Sequence, residues 1–228
     1  MIVKKYRSEV VSVENPLADI RTVTLRPLEK AYKYNPGQFL HLALDEYDPS
    51  RPWPESRCFS MQSSPDQDTI RITFAAKGKF TARMAAELVP GKEICVKLPY
   101  GDLFSSDHDK AKSVFVAGGT GITPFLSLFT SAAFAAYQEP RLYFGVRNAA
   151  HNLYAADLEK ARGVNPAFRL TLLDEEKDGR LDILKILGEN GPSAVYFISG
   201  PPVMIKNFKT SLAERGVPPE NIRTDDWE

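Results

Sequence analysis

The sequence predicts a β plus α/β protein, an N-terminal antiparallel β-barrel followed by a parallel-sheet nucleotide-binding domain. Three observations carry that prediction. The first hundred residues break into short β-rich runs separated by turn residues. From about residue 109 onward, short fully apolar runs alternate with helical stretches, the pattern of a parallel sheet covered on both faces. The first of those apolar runs ends in three glycines within four positions, Gly118, Gly119 and Gly121, just ahead of a helix start.

In chain order, strands are read over 9–14, 20–25 and 39–44, the last following the turn Pro36-Gly37. A strand over 57–60 comes after a loop punctuated by Pro49, Pro52 and Pro54, and strands over 69–74 and 93–98 flank a helix near 81–88. The second half reads as strand 113–117 with helix 124–136, strand 141–145 with helix 155–162, a strand over 168–173, and strand 195–198 with helix 203–215. The polar run 105–110 separates the two rhythms, so the barrel domain is assigned to residues 1–108 and the α/β domain to residues 109–228. Neither internal repeats nor low-complexity segments interrupt them.

Charge excludes several function classes. The 228 residues carry 29 basic and 29 acidic side chains, and each half is balanced as well. A neutral chain exerts no long-range pull on phosphate backbones or anionic lipid, which argues against nucleic-acid or membrane-surface binding. Two cysteines, Cys58 and Cys95, are too few for a four-thiolate zinc site, a thiolate-ligated iron–sulfur cluster or a disulfide framework. Cys95, within Ile94-Cys95-Val96, reads as a core thiol. His41, His108 and His151 are scattered without ligand spacing, so no metal site is expected. The N-terminal residues lack the apolar run of a signal peptide, and no apolar stretch approaches the roughly 20 residues that span a bilayer. A cytoplasmic protein is the expectation.

Three constellations point to chemistry. In Val114-Phe115-Val116-Ala117-Gly118-Gly119-Thr120-Gly121-Ile122-Thr123-Pro124 a buried strand runs into glycines, with Thr123 read as the helix cap and Pro124 at the first helical position. Glycines let a ligand approach the backbone, and free amides at a helix start favour an anion such as a pyrophosphate. The spacing is not that of the usual dinucleotide fingerprint, which lowers any claim to an ordinary alcohol-type dehydrogenase. In Arg57-Cys58-Phe59-Ser60 the strand period sends Arg57 and Phe59 to one face, an anion clamp beside a ring-packing surface. Gly78-Lys79-Phe80-Thr81, ahead of the barrel helix, offers a second anion site at a helix start.

In this order, these pieces resemble the ferredoxin-NADP reductase superfamily, and the resemblance covers essentially the whole chain. It also runs through Pro36-Gly37-Gln38-Phe39, Pro99-Tyr100-Gly101-Asp102-Leu103-Phe104, Tyr143-Phe144-Gly145-Val146-Arg147 and Ser199-Gly200-Pro201-Pro202-Val203-Met204. The resemblance implies a flavin-binding barrel carrying FAD, less readily FMN, with NADH or NADPH as electron donor to the second domain. Hydride passes from NAD(P)H to bound FAD, and single electrons then leave for a separate acceptor: a ferredoxin, a flavodoxin, an oxygenase component or a small molecule. Two other readings stay open, a reductase of free flavin or ferric chelates and a non-autonomous electron-transfer subunit. A monomer is the expected state.

Carried over residue by residue, the resemblance gives Arg57 a flavin phosphate, lays Phe59 against the ribityl chain or ring, and hydrogen-bonds Ser60 to the reactive ring nitrogen. Cys58, Phe74 and Ala76 join these contacts. Gly78, Lys79, Phe80 and Thr81 meet the flavin phosphates, and Tyr100 offers an adenine platform. Gly119, Thr120, Gly121, Thr123 and Pro124 receive the pyrophosphate of the nicotinamide cofactor, and Gly200, Pro201 and Pro202 border its nicotinamide. Three departures stand out. Phe59 replaces the commoner Tyr, Ser199 replaces the Cys that many relatives place at this catalytic position, and Trp227 is the terminal aromatic that relatives stack on the flavin. Ser60, Ser199 and Trp227 are thus the catalytic candidates, Trp227 as a gate. Asp174, leading Asp174-Glu175-Glu176, would repel a 2′-phosphate and accept from a free ribose hydroxyl, favouring NADH, while Arg147 pulls toward NADPH.

Overall fold

A computed structural model describes residues 2–225, which divide into two compact units, one ending at Asp102 and the other beginning at Leu103. In the first unit, β1 (Lys4–Leu17), β2 (Ile20–Pro27), β3 (Phe39–Ala43), β4 (Ser56–Ser60), β5 (Ile70–Ala75) and β6 (Glu93–Tyr100) form one antiparallel sheet in the order β4-β3-β6-β1-β2-β5. The period of two decides its faces. Leu40 and Leu42 on β3 are fully buried while Phe39 and His41, which alternate with them, are half-buried. The sheet curls until Val10, Val23, Leu25, Leu40, Leu42, Ile72 and Val96 share one core, each contributing about 1.5–3 kcal/mol by leaving water.

The curl nearly closes. Just past β4, the Gln62 amide donates to the Arg71 carbonyl of β5 at 2.8 Å, and the Ser63 hydroxyl accepts from the Arg71 amide at 2.7 Å. Helix α1 (Lys79–Glu87) covers the barrel by inserting Phe80 and Met84 into the same core. Cys95 is not a core thiol. On β6, Ile94 and Val96 face inward, so the thiol between them is half-buried on the opposite face. Three consecutive apolar residues had concealed the alternation.

The second unit is a parallel sheet of β7 (Ser113–Gly118), β8 (Arg141–Val146), β9 (Arg169–Asp174), β10 (Val195–Ser199) and β11 (Ile222–Thr224), in the order β11-β10-β7-β8-β9. Helices α2 (Thr123–Phe129), α3 (Ala155–Val164), α4 (Glu175–Asp178), α5 (Ile183–Asn190) and α6 (Pro202–Glu214) intervene. Phe115 and Phe197, stacked at 5.0 Å, anchor an aromatic core on one face with Phe125, Phe129 and Phe134. Val114, Val116, Tyr196 and Ile198 bury the other face against Ile183, Ile186, Ile205 and Leu212. From β7 the chain moves to β8 and β9 on one side, then returns to β10 and β11 on the other. The carboxyl ends of β7 and β10 therefore flank a switch point, where open α/β sheets bind ligands.

The single helix expected over 124–136 is divided. α2 ends at Phe129 and a 3-10 turn covers Ala132–Ala136. Thr130 Oγ1 donates to the Leu126 carbonyl at 2.7 Å and Ser131 Oγ to the Leu128 carbonyl at 2.9 Å, a competition for backbone acceptors that favours ending a helix.

Candidate functional site

In the first unit, β4 and α1 build an anion site together. Arg57 and Phe59 share one face of β4, in register with Leu42 and Leu40 of β3; Phe59 packs against the barrel core while Arg57 is exposed. The Arg57 guanidinium rests 5.0 Å from the ring of Phe80, second residue of α1. It therefore stands at the first turn of that helix, where the amides of Lys79, Phe80 and Thr81 have no acceptor within the helix and the dipole favours negative charge. Arg57 is held by Glu55 at 2.8 Å and the Ser56 carbonyl at 2.9 Å. An exposed pair of this kind is weak enough to yield to a phosphate. The Thr81 hydroxyl accepts from the amides of Lys77 and Gly78 at 3.1 and 3.0 Å and lies 3.1 Å from the Gly78 carbonyl it donates to, so it closes the turn. What Thr81 offers outward is its backbone amide. Phe59 packs on the buried Phe74 at 5.9 Å, and the Ala76 amide donates to the Asp19 carbonyl at 2.8 Å.

Cys58 and Ser60 belong to the other face of β4. Ser60 pairs in register with Phe39, and Cys58 with His41. The Cys58 sulfur is 3.5 Å from His41 Nε2 and 3.7 Å from Nδ1, the His41 ring meets Tyr100 edge-on at 4.5 Å, and Tyr100 stacks on Phe39 at 5.5 Å. Burial, with Lys97 adding to it, holds the His41 imidazole below its ordinary value, and burial pushes the Cys58 thiol up. Both groups are thus neutral near pH 7, and this ledge is a polarisable aromatic surface suited to a flat ring.

In the second unit, the loops after β7 and β10 touch backbone to backbone. A Cβ on Gly121 would fall 2.5 Å from Gly200 Cα and 2.7 Å from the Ser199 carbonyl carbon. Gly119 differs: its φ is +55°, and nothing lies within 4 Å of where its Cβ would project. Residues Gly119–Ile122 form a 3-10 turn, which corrects the expected cap. Thr123 is the first residue of α2, followed by Pro124, and its hydroxyl donates to the Thr120 carbonyl at 3.0 Å instead of capping the helix. The tight turn consumes the hydroxyl that the sequence assigned to the cap. Pro201 and Pro202 lead directly into α6.

Ser199, at the end of β10, is buried, and its hydroxyl lies 3.3 Å from the buried carboxylate of Asp225. The Asp225 amide in turn donates to the Ile198 carbonyl at 3.1 Å. Asp225 was not foreseen: β11 is too short to signal itself, its trace being the β-branched Ile222-Arg223-Thr224 ahead of the acid. Trp227 lies outside the described residues.

Arg147 follows β8 and Asp174 is the last residue of β9, and the two strand ends are in register at Val146 and Asp174. The Glu176 amide joins them, donating to the Arg147 carbonyl at 3.2 Å and to Asp174 Oδ1 at 3.2 Å. Glu176 also accepts from Asn148 at 3.0 Å, and Glu175 from Arg180 at 2.7 Å. Among the described residues no group of three or more His, Cys, Asp or Glu side chains is placed to hold a metal, and no helix is long and apolar enough to cross a membrane.

Comparison with known proteins adds three findings. The sequence profile described as "Oxidoreductase NAD-binding domain" matches residues 115–210. The reductase component of propane 2-monooxygenase from Mycolicibacterium goodii is 27% identical over 243 aligned positions, covering 99% of this chain and 68% of that protein. Among solved structures, the cytochrome P450 reductase of Amycolatopsis superposes with a TM-score of 0.82 at 21% identity, over 98% of this chain and 70% of that one. The ferredoxin NADP+ reductase of Neisseria gonorrhoeae, solved with bound FAD and NADP, gives 0.81 at 19% identity over 97% and 98%.

Proposed function

We propose that this chain, which is similar in sequence and fold to the reductases described above, is a flavoprotein oxidoreductase of the ferredoxin-NADP reductase superfamily that takes a hydride from a nicotinamide nucleotide and passes electrons through FAD to a separate acceptor protein. The observation that carries this reading is the presence of one preformed anion site in each unit, Arg57 with the first turn of α1 in one and the Gly119–Gly121 turn in the other. Each fits its guest. The open space beside Gly119 is a cradle that a Cβ would fill, and a guanidinium with three unspent helix amides is a donor set for a phosphate chain.

FAD, when bound, supplies the exchange between two-electron and one-electron chemistry. The chain's own residues do the positioning. Arg57 and the amides of Lys79 to Thr81 hold phosphate oxygens, Phe59 gives a packing surface, and Ser60 offers a hydroxyl beside Phe39 and Tyr100. The backbone from Gly119 to Gly121 receives a pyrophosphate, with Gly200 and Pro201 forming the adjoining wall. Asp225 accepts the Ser199 proton, which fixes the Ser199 oxygen with its lone pairs turned away from the carboxylate. Hydride transfer needs no general base, and these groups include none. Asp174, Glu175 and Glu176 crowd negative charge within one turn after β9, which supports NADH over NADPH.

The reductase components among the relatives serve oxygenase systems, and an acceptor of that class is proposed here. The test is an absorption spectrum of the desalted protein followed by anaerobic titration with NADH and NADPH. A flavin spectrum bleached by one equivalent of NADH is expected. A colourless protein that takes up no added FAD would sink the reading.

A further inference from the structure

Among the described residues, strand β9 is the open edge of the parallel sheet, bonded to β8 on one side only. The Arg169 amide donates to the Pro140 carbonyl at 2.9 Å on the β8 side. Alternation sends the amides of Thr171 and Leu173 the same way and those of Leu170, Leu172 and Asp174 to the open side. Asp178 takes the Asp174 amide at 3.0 Å. The edge still offered is therefore that of Leu170 and Leu172.

Natural edges are blunted by lysine, proline or bulges. Between Arg169 and Asp174 this one carries only Leu-Thr-Leu-Leu, with Leu172 39% exposed although it lies beside Phe144 in register. We propose that the β9 edge pairs antiparallel with the β9 edge of a second copy of this chain, about a twofold axis midway between the two copies of Thr171. A twofold relating antiparallel neighbours stands perpendicular to the sheet, so each residue faces one of its own parity. Centred on Thr171, the register sets Leu170 opposite the partner's Leu172 and the reverse. Those are the residues whose amides point outward, and they form two reciprocal pairs of backbone hydrogen bonds. Their side chains make one leucine cluster continuous with Leu142 and Phe144. Arg169 comes beside the partner's Leu173, one position from the partner's Asp174, so the basic start of the strand meets the acidic end. A register centred on Leu172 would instead oppose Leu170 to Asp174, whose amide is already engaged.

An edge of this length buries less than the roughly 1,200 Å² of a standard interface, so the association is weak and concentration-dependent. Sedimentation velocity on the full chain from about 5 to about 500 μM is expected to move from 25.4 kDa toward twice that mass. Thr171→Lys and Thr171→Glu, exposed substitutions beside the axis, should each weaken association at least about tenfold by opposing like charges, and an equimolar mixture of the two should restore it. Amide exchange of the wild-type chain should slow at Leu170 and Leu172 as concentration rises. A wild-type monomer at every concentration, a dimer indifferent to both variants, or a mixture that stays monomeric overturns the proposal. It does not depend on the reductase reading.

Discussion

Substituting Gly121 by alanine separates packing from ligand binding at the switch point. The added carbon would lie 2.5 Å from Gly200 Cα, 2.6 Å from Gly200 N and 2.7 Å from the Ser199 carbonyl carbon, where about 3.5–4.0 Å is ordinary contact. All three are backbone atoms, so no rotamer relieves the overlap and the two loops must part by about 1 Å. Overpacking of this kind costs about 1–3 kcal/mol, and backbone contact on every side places Gly121→Ala at the upper end. At about 2–4 °C per kcal/mol for a chain of this size, melting should fall by about 6–12 °C. The same displacement at a hydride-transfer geometry is expected to slow flavin reduction by NADH about a hundredfold, while flavin content, set in the first unit, is unchanged. Gly188→Ala in α5, where nothing lies within 4 Å, should instead stabilise by about 0.5–1 kcal/mol. Stopped-flow reduction and a thermal melt of both variants decide it. A Gly121→Ala protein with wild-type melting and rate refutes the loop-contact argument.

Arg57→Ala removes a charge-assisted clamp of about 1.5–3 kcal/mol, so apoprotein titration with FAD should show about 10–100-fold weaker binding; equal affinity would remove Arg57 from the site. Asp225→Asn keeps the volume but weakens the grip on Ser199, and we expect about tenfold slower reduction at nearly constant KM. Ser199→Ala should match it, with no further loss in the double variant, whereas additive losses would show that the two act separately. His108 donates or accepts through Nε2 to Tyr137 Oη at 2.7 Å, and burial, with Arg223 and Lys110 adding, holds its imidazole below the ordinary value. The unfolded chain then binds the proton more readily, so this contribution is present above about pH 6.5 and is lost as pH falls below it. Melting temperature should drop on acidification from about pH 7.5 to 5.5, and His108→Gln should flatten that slope; an unchanged slope would assign it to other groups.

Much of this fold is legible because burial on both faces leaves unmistakable runs. Val114 to Ala117 and Val195 to Ile198 have no polar interruption, so strand and sheet type follow from the residues alone. The barrel strands are legible through alternation, and the error at Cys95 arose where alternation was masked by an apolar residue on the outer face. Helix limits failed where hydroxyls intervene: Thr130 and Ser131 look tolerable in a helix, and only their bonds to Leu126 and Leu128 reveal the stop. α5 went unread although Asp182 caps it through the Leu184 amide at 2.9 Å, because Gly188 sits inside its apolar pattern. The Ser199–Asp225 contact joins residues that no local pattern links. Only the pairing of β10 with β11 brings them together.

The glycines of the switch-point loop show why motif spacing is an incomplete guide to chemistry. Read as a string, Gly118, Gly119 and Gly121 look alike, three openings for one ligand. In the fold, a Cβ on Gly118 would fall 3.0 Å from Met204 Sδ and 3.1 Å from Pro201 Cδ, and one on Gly121 would run into the Gly200 backbone, so both serve the approach of the β10 loop. Gly119 alone faces open space, and it alone of the three has a left-handed φ, +55°. The departure from the usual dinucleotide fingerprint thus has a physical source. That fingerprint divides its glycines among turn, ligand approach and helix–strand packing within one loop, whereas here the close packing is shared with a second loop, Ser199-Gly200-Pro201, which the fingerprint does not include. On the proposed reading the pyrophosphate rests against Gly119 and is framed by the other two glycines, so Gly119 governs its affinity while Gly118 and Gly121 govern the stability of the unit.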